Sequence, residues 1–145
     1  MASVIYNEFK RASAAGEIDL NADDIRVALV MSNTTCDTEN AGITVLSDFT
    51  TLDECDGANY VRKALDSEAV NKDDANNRAE FDATDVTWTA LGASTRTVPG
   101  ALVFKFVSAD ADSIPIAYVE LPSALTPDGS NFLLQWNAEG ILNLT

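Results

Sequence analysis

Histidine is missing from this 145-residue chain, which removes imidazole metal ligands, Ser-His and Cys-His nucleophile pairs and the usual general base. Positive charge is scarce as well: 9 Lys and Arg stand against 23 Asp and Glu, for a formal net charge of -14. A nucleic-acid backbone would meet repulsion on nearly every face, so no nucleic-acid partner is expected. No stretch approaches the roughly 18 apolar residues of a membrane span. The opening Met1-Ala2-Ser3-Val4-Ile5-Tyr6-Asn7-Glu8 carries neither a basic start nor an apolar leader core, and the expectation is a protein made in the cytoplasm with no membrane partner. Cysteine is limited to Cys36 and Cys55, too few for a disulfide scaffold and without zinc-site spacing. Bonded to each other they would close a loop of about twenty residues, worth roughly 3 kcal/mol by chain entropy. As reduced thiols they would pack as small apolar groups, and both alternatives are open at this level.

What the chain does contain is 46% hydrophobic residues, enough for one core and, at this length, too little for two. A single domain over 1–145 is expected. Ile5, Phe9 and Ala12 fall at helical spacing and Gly16 supplies a stop, which predicts one short helix over about 4–15 docked on the rest of the domain. From Ile25 to Met31 the period changes to two, the spacing of a strand with one apolar face. Residues 33–59 are rich in Thr, Asp, Asn and Gly and read as long exposed loops with one short strand at most. Further strands are predicted over 60–70, 79–83, 86–89, 101–107, 115–121, 131–136 and 140–145, separated by turn clusters such as 72–77 and 126–129. Short strands at roughly ten-residue intervals without helix–strand alternation point to a mainly β fold, an antiparallel β-sandwich of jelly-roll or immunoglobulin-like connectivity.

Carboxylates are the only reactive groups in abundance. Asp73 and Asp74 beside Asn76 and Asn77, Asp82 with Asp85, and Asp110 with Asp112 could offer oxygen to a cation, but none forms the D-x-[DN]-x-[DN]-G loop. Turn capping accounts for them, and no metal site, cofactor or catalytic residue is assigned. Trp88 and Trp136 have apolar neighbours two residues away, which suits core packing better than a sugar-stacking platform. The adjacent basic pairs Lys10-Arg11 and Arg62-Lys63 are the points where so acidic a chain could meet a carboxylate-bearing protein partner.

Several segments together resemble a family. Ile5-Tyr6-Asn7-Glu8-Phe9-Lys10-Arg11, Gly16-Glu17-Ile18-Asp19-Leu20, Ile25-Arg26-Val27-Ala28-Leu29, Arg78-Ala79-Glu80-Phe81-Asp82-Ala83 with Asp85-Val86-Thr87-Trp88, and Trp136-Asn137-Ala138-Glu139-Gly140-Ile141-Leu142 are similar to a group of small tailed-bacteriophage virion proteins. The resemblance runs over nearly the whole chain and departs between Asn33 and Tyr60, where both cysteines lie. It implies a non-enzymatic structural protein of the virion. The role implied is head decoration, or cement, binding the major capsid protein or other virion proteins on the capsid surface after synthesis in the host cytoplasm, with a dimer or trimer expected because equivalent sites would then be engaged together. The other role it allows is that of a tail- or fibre-associated module contacting the host surface through the 33–59 loops.

Overall fold

A computed structural model describes residues 3–145. In chain order its elements are β1 (Val4–Ile5), α1 (Asn7–Ala14), β2 (Ile25–Val30), β3 (Lys63–Ala64), β4 (Ala69–Asp73), β5 (Arg78–Asp82), β6 (Val86–Trp88), β7 (Val98–Lys105), β8 (Ile114–Leu125), β9 (Phe132–Leu134) and β10 (Leu142–Leu144). The protein is mainly β with one helix. Five strands form a sheet in the order β1-β8-β7-β2-β3, three form β10-β5-β4, and β6 pairs with β9. Every pairing is antiparallel.

The alternation in β2 explains how the layers stack. Ile25, Val27 and Leu29 share a core with Phe81 of β5, Val86 and Trp88 of β6, Phe132 and Leu134 of β9 and Leu142 of β10. The opposite face, through Ala28 and Val30, joins Leu102 and Phe104 of β7 and Tyr118 of β8 in a second core. The five-stranded sheet is thus buried on both faces. What covers the second face is the long irregular segment, which contributes Cys36, Ile43, Leu46 and Phe49. The expectation of an exposed loop over 33–59 is therefore corrected. Its Thr, Asp and Asn residues fasten turns instead of marking solvent-facing chain. Asp48 accepts from the N–H groups of Thr44 (2.9 Å) and Val45 (3.0 Å) around the 3-10 turn Leu46–Asp48, while Glu39 accepts from Thr35 Oγ1 (2.7 Å) and the Thr50 N–H (2.9 Å).

The helix starts later than its apolar spacing suggested, because Val4 and Ile5 add to the edge of β8 at Tyr118 and Ala117. Phe9 and Ala12 enter the first core, and Tyr6 turns to the second, donating its hydroxyl to the Cys36 carbonyl at 2.6 Å. Gly16 closes the helix at φ +73°. The Glu17 N–H reaches the Ala12 carbonyl at 2.8 Å and the Gly16 N–H that of Ser13 at 3.1 Å, the paired bonds of a left-handed helix stop. The strand expected over 60–70 is also corrected: Lys63–Ala64 belongs to the large sheet and Ala69–Asp73 to the three-stranded one. Ser67, at φ +56°, lies in the turn between them.

Strand β8 outruns its neighbours. Gly100 faces Glu120 and Val98 faces Leu125, so residues 121–124 bulge outward opposite Pro99 alone. Proline has no N–H to give a ladder, which favours an irregularity there. On the other edge β1 covers β8 only at Ala117 and Tyr118.

Candidate functional site

The bulge of β8 and strand β9 are the two walls of a groove of about 760 Å³, lined by Ser3, residues 119–123, Leu125 and residues 133–137. Two runs of five consecutive residues line it. Since successive side chains of a strand point to opposite faces, the consecutive lining residues 119–123 mean that β8 presents its edge to the groove; in the second run Leu133 and Leu134 belong to β9 and 135–137 to the chain beyond it. Strand β9 pairs with β6 on one side only, and its alternation sends Phe132 and Leu134 inward and leaves Leu133 52% exposed. Leu125, at the far end of the bulge, is 49% exposed. A smaller depression of about 170 Å³ continues the groove, sharing Leu125 and Leu133 and adding Pro127 and Asp128.

The floor is fixed. Trp136 is buried, donates its backbone N–H to Asp85 (2.8 Å) and its indole N–H to the Thr84 carbonyl (3.1 Å), and so holds the chain beyond β9 against the connection between β5 and β6. On the opposite wall the Glu120 N–H donates to Ser3 Oγ at 3.2 Å. The lining includes one charged side chain, Glu120, and no Lys or Arg. Leucines and an anchored indole offer apolar contact to a bound segment.

The residues singled out from the sequence lie elsewhere. Lys10 is exposed on α1, and Arg11 is held between Glu8 (2.7 Å) and Glu17 (2.5 Å). Lys63 is half-buried on β3 at the other edge of the large sheet. Arg62 forks between Glu54 (2.8 Å) and Asp110 (2.5 Å), with its guanidinium 5.3 Å from the Phe104 ring centroid. Glu54 also accepts the Tyr60 hydroxyl at 2.7 Å, which in turn accepts the Leu29 N–H at 3.0 Å. Hydrogen bonds donated by Arg62 to Glu54 and then to Asp110 raise the Arg62 pKa above its ordinary value. The two basic pairs are therefore separated by the width of the sheet. Arg62 and Arg11 are occupied within the chain, so an open cationic contact is left to Lys10 and Lys63.

Cys36 and Cys55 are free, buried thiols packed in the two different cores on opposite faces of the sheet. The disulfide alternative is thereby set aside. Burial pushes the Cys36 thiol up to about 11. Within the acidic clusters Asp73 and Asp112 fasten turns, accepting from the Asn76 N–H (3.2 Å) and the Ala109 N–H (2.8 Å), whereas Asp110 binds Arg62 and Asp85 binds Trp136. No three His, Cys, Asp or Glu groups converge on a metal position among the described residues. Trp88 is fully buried, its indole N–H donating to the Val61 carbonyl at 2.7 Å and its ring meeting Phe132 edge-on at 6.2 Å. No helix among the described residues is long and apolar enough to cross a membrane.

The groove escaped sequence reading, although two signals for it were present. Phe132-Leu133-Leu134 places three apolar residues on a three-residue strand, one of which must face outward. Leu121 to Leu125 continues β8 with a proline in its path. No protein-family model, no curated protein and no solved structure matches the chain.

Proposed function

We propose that the chain is a non-enzymatic structural protein of a tailed-bacteriophage virion, a head decoration protein that seats on the capsid lattice through the groove between β8 and β9. The observation that carries this reading is an apolar groove with exposed Leu125 and Leu133 on a chain of net charge -14. So much negative charge keeps many copies soluble, and repels packaged DNA and other virions. An apolar slot with a rigid floor is what remains to make a specific protein contact. The resemblance of the helix, β2, β5, β6 and C-terminal segments to small tailed-phage virion proteins supplies the setting: synthesis in the bacterial cytoplasm and residence on the virion surface. In this reading the large sheet and the two smaller ones form a jelly-roll or immunoglobulin-like β-sandwich, and copies act as dimers or trimers so that equivalent sites are engaged together.

The alternative, a tail- or fibre-associated module using the 33–59 loops against the host, is disfavoured because Cys36, Ile43, Leu46 and Phe49 turn that segment inward. Quantitative mass spectrometry of purified particles tests the proposal. Hundreds of copies per particle are expected for a decoration protein. A dozen or fewer would move the chain to the tail, and absence from particles would overturn the virion assignment.

A further inference from the structure

We infer that the groove between β8 and β9 receives an extended segment of a different protein as an added strand, with alternating apolar side chains and Lys or Arg at its ends. This deepens the functional reading above and rests on the groove being the contact surface. Three observations converge on it. The first is geometric: one wall is the edge of β8, whose residues 119–123 line it consecutively, and the other is the end of β9, Leu133 and Leu134, with the chain 135–137 that follows it. The ladder gives residues 121–124 of β8 no partners, and β9 pairs on one side alone. Free backbone donors and acceptors along an edge are completed by another strand, not by a compact ligand.

The second observation is the side-chain lining. Leu121, Leu125 and Leu133 flank the slot above Leu134 and Trp136, so a strand laid between them has apolar contacts for its alternate residues. About five residues at 3.3 Å each span some 17 Å, the scale of a short strand.

The third is charge, which decides the occupant. Glu120 in the groove and Asp128 in its continuation are the only charged residues among the linings. A second copy of this chain would bring another net charge of -14 to that margin, so like-charge repulsion disfavours self-addition and a basic-ended partner is favoured. Pro122, exposed on the bulge, adds to this: it deprives β8 of one donor and interrupts any ladder between two copies of β8, leaving β9 as the regular edge.

The test uses the full chain, isotope-labelled, and synthetic peptides of about seven residues, near 23 Å extended. One alternates valine and threonine with lysine at both ends. The second replaces both lysines with glutamate, and the third keeps the lysines but carries N-methyl groups on alternate backbone nitrogens. The lysine-ended peptide should bind saturably, with amide shifts confined to residues around 119–125 and 132–137. The glutamate-ended and N-methylated peptides should each bind at least about tenfold more weakly. Leu133→Glu, at an exposed position that the fold does not need, should abolish the shifts while leaving the remaining spectrum unchanged.

Equal affinity for the lysine and glutamate peptides would overturn the basic-ended occupant. Equal affinity for the N-methylated peptide would overturn strand addition. Groove shifts that grow with protein concentration in the absence of peptide would assign the slot to a second copy. If no peptide binds while the chain still loads onto stripped particles, strand addition fails and the decoration role survives. If peptides bind as stated but the chain does not load, the virion reading fails and this inference stands.

Discussion

Leu46→Ala tests whether the irregular segment between β2 and β3 is a structural cover or a solvent-facing loop. Leu46 is 1% exposed and packs among Ala28, Val30, Leu102, Phe104 and Tyr118 of the sheet and Cys36, Ile43 and Phe49 of its own segment. Truncation removes three carbons, roughly 2.4 kcal/mol of transfer energy at about 0.8 kcal/mol each. The incompletely collapsed cavity brings the expected loss to about 3–4 kcal/mol. With a urea m-value near 2 kcal/mol/M, the midpoint falls by about 1.5–2 M at unchanged slope. The melting temperature falls by about 10 °C. The neighbouring, exposed Ser47→Ala is the control and should stay within about 0.5 kcal/mol of the parent. Urea unfolding followed by Trp fluorescence reads both. If Leu46→Ala matched Ser47→Ala, the segment would not be covering the second face of the sheet, and the assignment of two cores would be wrong.

Both cysteines should resist a thiol reagent at pH 8 in the native protein, since each is buried and the Cys36 pKa is about 11, and both should titrate once the chain is unfolded; no reaction after unfolding without reductant would show that they are bonded. Arg62→Lys should cost about 1–3 kcal/mol in denaturant unfolding, because a single ammonium cannot fork across Glu54 and Asp110 while covering Phe104; full stability in the lysine variant would reduce that network to plain charge pairing. Thr50, Val45 and Ser108 are the leading hydrogen-bond donors that lower the pKa values of Glu39, Asp48 and Asp112 respectively. A lowered folded pKa gives stability that is present above the unfolded value near 4 and is lost as pH falls through the folded one. With no His, the melting temperature should be level from about pH 6 to 8 and drop below about pH 4, and a transition centred near pH 6.5 would contradict this.

Much of the fold was legible because it depends on local rules. The period of two at Ile25–Val30 and the glycine stop at Gly16 needed only a few neighbouring residues to be read. What the sequence concealed depends on distant partners. Ile5 has helical spacing to Phe9, yet β8 offers it an edge at Ala117. Residues 33–59 have the composition of exposed chain, but β2 is apolar on both faces, and in retrospect Ala28 and Val30 required a cover. Arg62 and Lys63 looked like a pair to a one-dimensional reading; Glu54 and Asp110, the latter 48 residues away, occupy the arginine. The groove was least visible because it consists of missing pairings, the unpartnered bulge of β8 and the second edge of β9.

Under the proposed decoration role, hydrogen exchange of the chain loaded onto phage capsids, compared with the free chain, tests most directly whether the groove is the surface that does the binding. Protection on the particle is expected at residues around 119–125 and 132–137, with Lys10 and Lys63 and their neighbours exchanging as in the free protein. Protection confined to α1 or β3, with the groove unchanged, would contradict the account.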